Sequence, residues 1–230
     1  MTAIDAPRVT TVSPIDERVL ERYPRQDAGQ VGAALDRAVA AQRGWRERSF
    51  EERAAGLRAL AAALRAARDE AAETITLEMG KTLAEARAEV EKSAWVCEYY
   101  AEHGAAQLAA DVVETEWRGS WVQYPPLGVV LAIMPWNYPV WQVMRAFAPA
   151  LMAGNGMVLK HATNVTGSAL ALGRIVADAG LDPALLEVLV VASSEVAGII
   201  ADDRVAAVTL TGSEAAGVSV AHACAEALKP

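Results

Sequence analysis

Val129-Val130-Leu131-Ala132-Ile133-Met134 runs directly into Pro135-Trp136-Asn137-Tyr138-Pro139. The first six residues are apolar and rich in β-branched side chains, which suits a short strand buried on both faces. The two prolines bracket a turn, and a helix is predicted over residues 141–153. The same alternation then repeats. A strand is predicted at 157–159 with a helix at 166–179, and a third strand at 188–191 with a short helix at 195–200. A fourth strand at 206–210 leads into a last helix at 214–228. Short apolar strands alternating with helices specify a parallel α/β sheet. Right-handed crossovers place every post-strand loop at one edge of that sheet. Those loops carry Trp136-Asn137, Lys160-His161-Ala162-Thr163 and Gly212-Ser213-Glu214, so a ligand is expected there.

Upstream the pattern changes. Residues 112–117 and 120–124 alternate β-formers with polar residues around Arg118-Gly119, as in a hairpin. A two-stranded hairpin is marginal alone, so it is expected to pack on something beyond these residues. The first third is helical, rich in Ala, Arg, Glu and Leu. Asp27 is placed to cap a helix reaching about residue 47, with Val31, Leu35, Ala38 and Val39 on one face. A second helix is predicted over 50–78, carrying Leu57, Leu60, Leu64 and Ala67. Lys81-Thr82 opens a third to about residue 108, carrying Trp95, Tyr99 and Tyr100. No repeating period is present, which argues against an α-solenoid.

The chain has 230 residues, 53% of them hydrophobic, enough for a sizeable core. A formal net charge of −8 and the lack of basic clusters argue against nucleic acid and anionic membrane surfaces as partners. Two cysteines, Cys97 and Cys224, do not make a disulfide framework. Met1-Thr2-Ala3-Ile4-Asp5-Ala6-Pro7 shows no basic region followed by an apolar run, so no secretory signal is expected. Apolar stretches are interrupted well before a bilayer-spanning length. The expected location is the cytoplasm.

Three loops invite chemistry. Gly212-Ser213 before a helix offers backbone N–H groups and the positive end of the helix dipole to a phosphate, with Gly217 one turn further on. The same residues also make an ordinary helix cap. No G-x-G-x-x-G fingerprint is present. Lys160, at a strand's carboxyl end, can bond ribose or phosphate oxygens, or be a solvated loop lysine. Asn137, fixed between two prolines, can donate to an oxyanion or merely satisfy loop backbone groups.

Taken together, several stretches resemble the aldehyde dehydrogenase superfamily in order and spacing. They are Pro135-Trp136-Asn137-Tyr138-Pro139, Pro149-Ala150-Leu151-Met152-Ala153-Gly154-Asn155, Val158-Leu159-Lys160 and Thr211-Gly212-Ser213, with Leu77-Glu78-Met79-Gly80-Lys81-Thr82 earlier. Trp141-Gln142-Val143-Met144-Arg145 and Leu159-Lys160-His161-Ala162-Thr163-Asn164-Val165 look most like the short succinate-semialdehyde dehydrogenase branch. The resemblance covers essentially the whole chain as roughly the first half of a family member. It implies a Rossmann-like parallel sheet of the family's cofactor domain, preceded by long helices and interrupted by a hairpin. Residues 1–111 would be the helical part, 112–127 a protruding oligomerisation-type hairpin, and 128–230 the cofactor-binding α/β part.

The resemblance also implies roles. Asn137 matches the oxyanion-hole asparagine, Lys160 the lysine on the adenosine ribose, and Ser213, beside Gly212, the serine on the cofactor pyrophosphate. Met134, Pro135 and Trp136 match the strand end lining the cofactor cleft. Arg145 matches an arginine for the distal carboxylate of the substrate. The implied cofactor is NADP or NAD, the implied substrate succinate semialdehyde, and the implied full-length form a homo-oligomer. Thr163 stands where many members carry a glutamate that repels a 2′-phosphate, so its absence leaves room for NADP as well as NAD. Val191-Ala192-Ser193-Ser194 replaces the usual glycine after the third strand. The sequence ends before the family's catalytic glutamate and cysteine. Cys97 and Cys224 lie in helices without the family's nucleophile motif, and His103, His161 and His222 lack metal-ligand spacing. The expectation is therefore the N-terminal part of an NAD(P)-dependent aldehyde dehydrogenase, inactive by itself. The other reading is a truncated protein that binds cofactor or pairs with subunits without catalysis.

Overall fold

The structure is a computed structural model that describes residues 8–230. The first seven residues, where no secretory signal was expected, lie outside the described residues.

The chain opens with a hairpin the sequence reading did not anticipate, β1 (Arg8–Val12) paired antiparallel with β2 (Val19–Pro24). Val9 and Thr11 point inward and β1 packs on the turn at Thr163–Val165. Four helices follow. These are α1 (Ala28–Arg46), α2 (Phe50–Ala66), α3 (Arg68–Met79) and α4 (Leu83–Gln107). Three of them start with a reciprocal capping box: Asp27 with Gln30, Ser49 with Glu52, and Thr82 with Glu85. Each box satisfies two helix-end donors within four residues, so it is readable locally. Gly80, at φ 84, ends α3 in the left-handed conformation that glycine adopts without strain.

The single helix expected over 50–78 is two helices, broken at Ala67 (φ −87, ψ 3). Ala66-Ala67-Arg68 contains no local breaker. Both pieces lie along α4, and fitting that helix decides the break against strong local propensity. The middle hairpin is β3 (Asp111–Val113) with β4 (Ser120–Val122). Its strands are shorter than predicted, and Arg118-Gly119 is the end of a wider connection over 114–119, not a two-residue turn. Val112, Trp117 and Trp121 are exposed there.

The remaining chain alternates as expected. The elements are β5 (Val129–Met134), α5 (Trp141–Met152), β6 (Gly156–His161), α6 (Thr166–Asp178), β7 (Leu186–Val188), α7 (Val196–Ala201), β8 (Val205–Leu210) and α8 (Glu214–Glu226). The four strands form one parallel sheet in the order β7-β6-β5-β8. The third strand lies earlier than the predicted 188–191. Leu189 still donates to Leu159 O (2.8 Å), but Val190 then exchanges hydrogen bonds with Gln26. Leu189 and Val191 are buried against α1 and α7 without sheet pairing.

Both faces of the sheet are covered. Ala132, Met134, Met157 and Leu159 join α2–α6 in one core, while Val129, Leu131 and Val158 join α1 and α7 in another. That strict alternation is why the strands read as uninterrupted apolar runs. No helix among the described residues is long and apolar enough to cross a membrane.

Candidate functional site

In the order β7-β6-β5-β8, the chain leaves β5 on one side for β6 and β7, then crosses back to place β8 on the other. The crevice at the carboxyl ends of β5 and β8 is therefore the topological switch point, where open α/β sheets bind ligands. It is flanked by the loop 135–139 after β5 and by Thr211-Gly212-Ser213 after β8. Thr211 N donates to Ile133 O (3.0 Å), and Arg145 of α5 reaches across to Thr211 Oγ1 (2.7 Å).

Three helices of eight or more residues begin at this edge, each with unpaired N–H groups and a positive dipole end. Two of them are filled by carboxylates from the helical layer. Glu89 of α4 is buried, and one oxygen accepts from Val140 N (2.8 Å) and Trp141 N (3.0 Å) at the start of α5. Its other oxygen takes the Lys81 ammonium, whose Nζ lies 3.9 Å from the centre of the Tyr138 ring. Glu78 of α3 does the same at α6, accepting from Gly167 N (2.7 Å), Ser168 N (2.8 Å) and Ser168 Oγ (2.8 Å). Burial pushes the Glu78 carboxyl up, and those Ser168 and Gly167 bonds hold it back. At α8 no other element intervenes: Ser213 Oγ accepts from Ala216 N (3.3 Å), and Gly212, Ser213 and Glu214 are exposed.

Gly212 does not have the left-handed backbone that would demand glycine. A Cβ there would meet nothing closer than Ala216 Cβ at 3.6 Å, so the turn itself does not require it. Gly217 does not serve close packing on the sheet either. A Cβ there would come no nearer than 4.0 Å to Leu210, and α8 buries no residue.

Lys160 is 6% exposed at the end of β6, and its Nζ donates to His161 O (3.0 Å). Burial, reinforced by the Arg25 charge, lowers its pKa. It lines a cleft of about 310 Å³ with Ile133, Ser194, Val196, Leu210 and Ala216, running from β6 past β8 to α8. Thr163 is not in that lining. It sits at the head of a short turn beside Val9 and Val190. Ser193 and Ser194, the departure noted after the third strand, do line the cleft. Met134 is buried in the core, whereas Trp136 is half exposed and Pro135 half-buried.

His161 holds the loop after β5. Ala162 N donates to its Nδ1 (2.8 Å), so the ring proton is on Nε2 and is donated to Pro139 O (2.8 Å). Burial lowers its pKa to about 4. Asn137 is exposed, and its side chain makes no hydrogen bond among the described residues. It lines a second cleft, of about 730 Å³, with Met79, Lys81, Lys92, Tyr138, Trp141 and Gln142. Arg145 is exposed, donates to Gln142 Oε1 (2.9 Å) as well as Thr211, and forms no acidic ion pair among the described residues. The structure thus splits the anticipated residues between two clefts, Lys160 in one and Asn137 in the other, with Arg145 and Thr211 bridging the switch point.

Sequence reasoning missed Glu78, Glu89, Lys81 and Lys92. A signal existed for Glu89: it falls in the apolar stripe Ala86, Val90, Ser93, Ala94, Cys97, where a charge must have a partner. Cys97 is buried and donates to Ser93 O (3.3 Å), with burial pushing its thiol up to about 12. Burial also raises Cys224.

The NAD(P)+ succinate semialdehyde dehydrogenase Sad of Escherichia coli strain K12 is 43% identical over 229 residues, covering 100% of this chain and 50% of that protein. The NADP+ succinate-semialdehyde dehydrogenase 1 of Mycobacterium tuberculosis strain H37Rv is 44% identical over 225 residues, covering 96% of this chain and 49% of its own. The crystal structure of succinic semialdehyde dehydrogenase from Streptococcus pyogenes with NADP+ superposes with a TM-score of 0.92 at 36% identity, over 96% of this chain and 49% of that one. The chain spans about half the length of the curated relatives it matches. The sequence profile of the aldehyde dehydrogenase family matches residues 2–230, and the chain belongs to that family.

Proposed function

We propose that this chain is the cofactor-binding part of an NAD(P)-dependent dehydrogenase that oxidises succinate semialdehyde to succinate. The observation that carries the reading is the one helix start that the rest of the described fold leaves open. Of the helices of eight or more residues that begin at the switch-point edge, only α8 has no carboxylate from another element at its N-terminus. It stands over the cleft that ends at Lys160.

The donor set fits a dinucleotide. A nearly buried ammonium suits ribose hydroxyls, exposed N–H groups at Gly212 and Ser213 suit a pyrophosphate, and Ile133, Val196 and Leu210 offer an apolar floor. When bound there, a nicotinamide dinucleotide supplies the hydride acceptor. Asn137, with an unengaged amide, is the oxyanion donor on the other side of the loop. Met134, Pro135 and Trp136, where β5 ends, are assigned to the cofactor side of the loop. Arg145 is the candidate for the distal carboxylate of the substrate. Residues 1–111 and 128–230 then act as two parts of one cofactor domain, and 112–127 as a hairpin for subunit pairing. Neither cysteine suits attack on an aldehyde, since the thiolate is the nucleophile and both thiols are shifted away from it. The 230 residues bind cofactor without turnover.

The test is titration with NADPH and NADH, following energy transfer from tryptophan to the reduced nicotinamide. Saturable binding is expected, weakened at least about tenfold by Lys160→Met, the loss of one charged hydrogen bond. Thr163→Glu should shift preference toward NADH if position 163 meets the 2′-phosphate. Binding that is absent, or unchanged by Lys160→Met, removes the reading. Succinate semialdehyde oxidation by the chain alone, abolished by Cys97→Ser or Cys224→Ser, would remove the claim of inactivity.

A further inference from the structure

The larger cleft has a charge pattern that the cofactor reading does not use. Four charged side chains line it: Lys81, Glu85, Glu89 and Lys92. Glu89 is spent on Lys81 and the start of α5. Glu85 is turned to its own capping box, accepting from Thr82 N (3.2 Å) and Thr82 Oγ1 (2.8 Å). Lys92 is left over. Its Nζ lies 4.1 Å from the centre of the Trp141 ring, and it has no acidic contact among the described residues.

The Lys92 ammonium itself sits over the face of the Trp141 ring, which fixes it there and leaves free the donors that point away from the ring. Trp141 is the first residue of α5, next to Gln142, whose Oε1 accepts from Arg145. Arg145 also bonds only neutral acceptors. The positive end of α5 adds nothing here, because Glu89 has already neutralised it. Among the described residues, Lys92 is therefore the cation of this cleft without a carboxylate partner, and Asn137 lines the same cleft.

We propose that Lys92, braced on Trp141, is a carboxylate-binding residue of the Asn137 cleft, selecting short aldehydes that carry a distal carboxylate. Its link to an aldehyde rests on the function proposed above, but the anion site stands on the cleft alone. The carboxylate bonds Lys92 Nζ on the side away from the Trp141 ring, and its carbon chain runs through the cleft toward Asn137. Arg145, the candidate for the same carboxylate in the function proposed above, stands one helical turn along from Trp141, so Lys92 is a second cation for that group.

The chain, ¹⁵N-labelled at its tryptophan indoles, is titrated with succinate at constant ionic strength and without cofactor. The Trp141 indole resonance, assigned by its loss in Trp141→Phe, is expected to shift saturably. Succinamide, of the same length but uncharged, and chloride should leave it in place. Lys92→Met and Lys92→Gln should each weaken binding at least about tenfold, while Lys92→Arg retains it. Lys92 is exposed on α4, so its variants are expected to keep the spectrum otherwise unchanged. An equal response to succinamide, or succinate affinity unaltered in both neutral variants, overturns the proposal. NADPH binding without succinate binding removes this site alone, and succinate binding without NADPH binding removes only the cofactor reading.

Discussion

Helices α5 and α8 both follow a strand of the same sheet and both begin at its carboxyl edge, yet they are held in opposite ways. At its start α5 is gripped by Glu89 and, through Pro139, by His161. Near its end Trp45 Nε1 donates to Leu151 O (2.8 Å) and Arg53 to Met152 O (3.1 Å). It buries Val143, Met144, Phe147, Ala148, Leu151 and Met152. Helix α8 buries none of its residues and is capped only by its own Ser213. Apolar burial stabilises by about 25 cal/mol per Å² removed from water, so α5 is anchored in the core, whereas α8 packs on it only through partly buried residues such as Val220, Ala223 and Cys224. A helix start that the core has satisfied is unavailable to a ligand, and one it has left alone is available.

The contrast breaks most sharply at Glu89. Glu89→Ala strands the nearly buried Lys81 and two N–H groups, and should cost about 3–5 kcal/mol in urea unfolding. Glu89→Gln, which keeps an acceptor, should lose less. Equal, small losses in both would mean that α5 does not depend on its clamp.

His161 tests the same clamp through pH. Its folded pKa of about 4 lies below the ordinary value of 6.5, so the unfolded chain binds the extra proton first. The stability this group contributes is fully present above about pH 6.5 and is lost as pH falls toward 4, on the order of 3 kcal/mol across that window. His161→Gln should flatten that part of the stability–pH curve while leaving acid loss from the carboxylates. An unchanged curve would mean that His161 is solvated in solution.

A smaller effect separates two helical glycines. At Gly104 of α4 a Cβ would come within 2.4 Å of Met152 Cγ, the last residue of α5. Gly104→Ala should therefore destabilise by about 1–3 kcal/mol through overpacking. At Gly217 of α8 a Cβ meets nothing nearer than 4.0 Å. Gly217→Ala should stabilise by about 0.5–1 kcal/mol through helix propensity, read as slower amide exchange confined to α8. The same sign at both sites would erase the distinction between the two helices.

What the sequence by itself determined is what local chemistry encodes. Strand β5 has the predicted ends, and α5, α6 and α8 begin where expected, because apolar alternation and turn residues act within a few positions. The capping boxes at Asp27, Ser49 and Thr82 span four residues each. Asn137, Lys160, Gly212 and Ser213 were legible as candidates because parallel topology gathers post-strand loops at one edge, whereas Arg145, inside α5, came only from the family resemblance. The tertiary structure alone decided the rest. The break at Ala67 follows from fitting α4, and the early end of β7 from Gln26, far upstream in the chain. Which helix starts are filled depends on Glu78 and Glu89, each bonded to backbone about 50 to 90 positions away. Such pairings depend on how packed elements meet in space, and no window of sequence contains both partners.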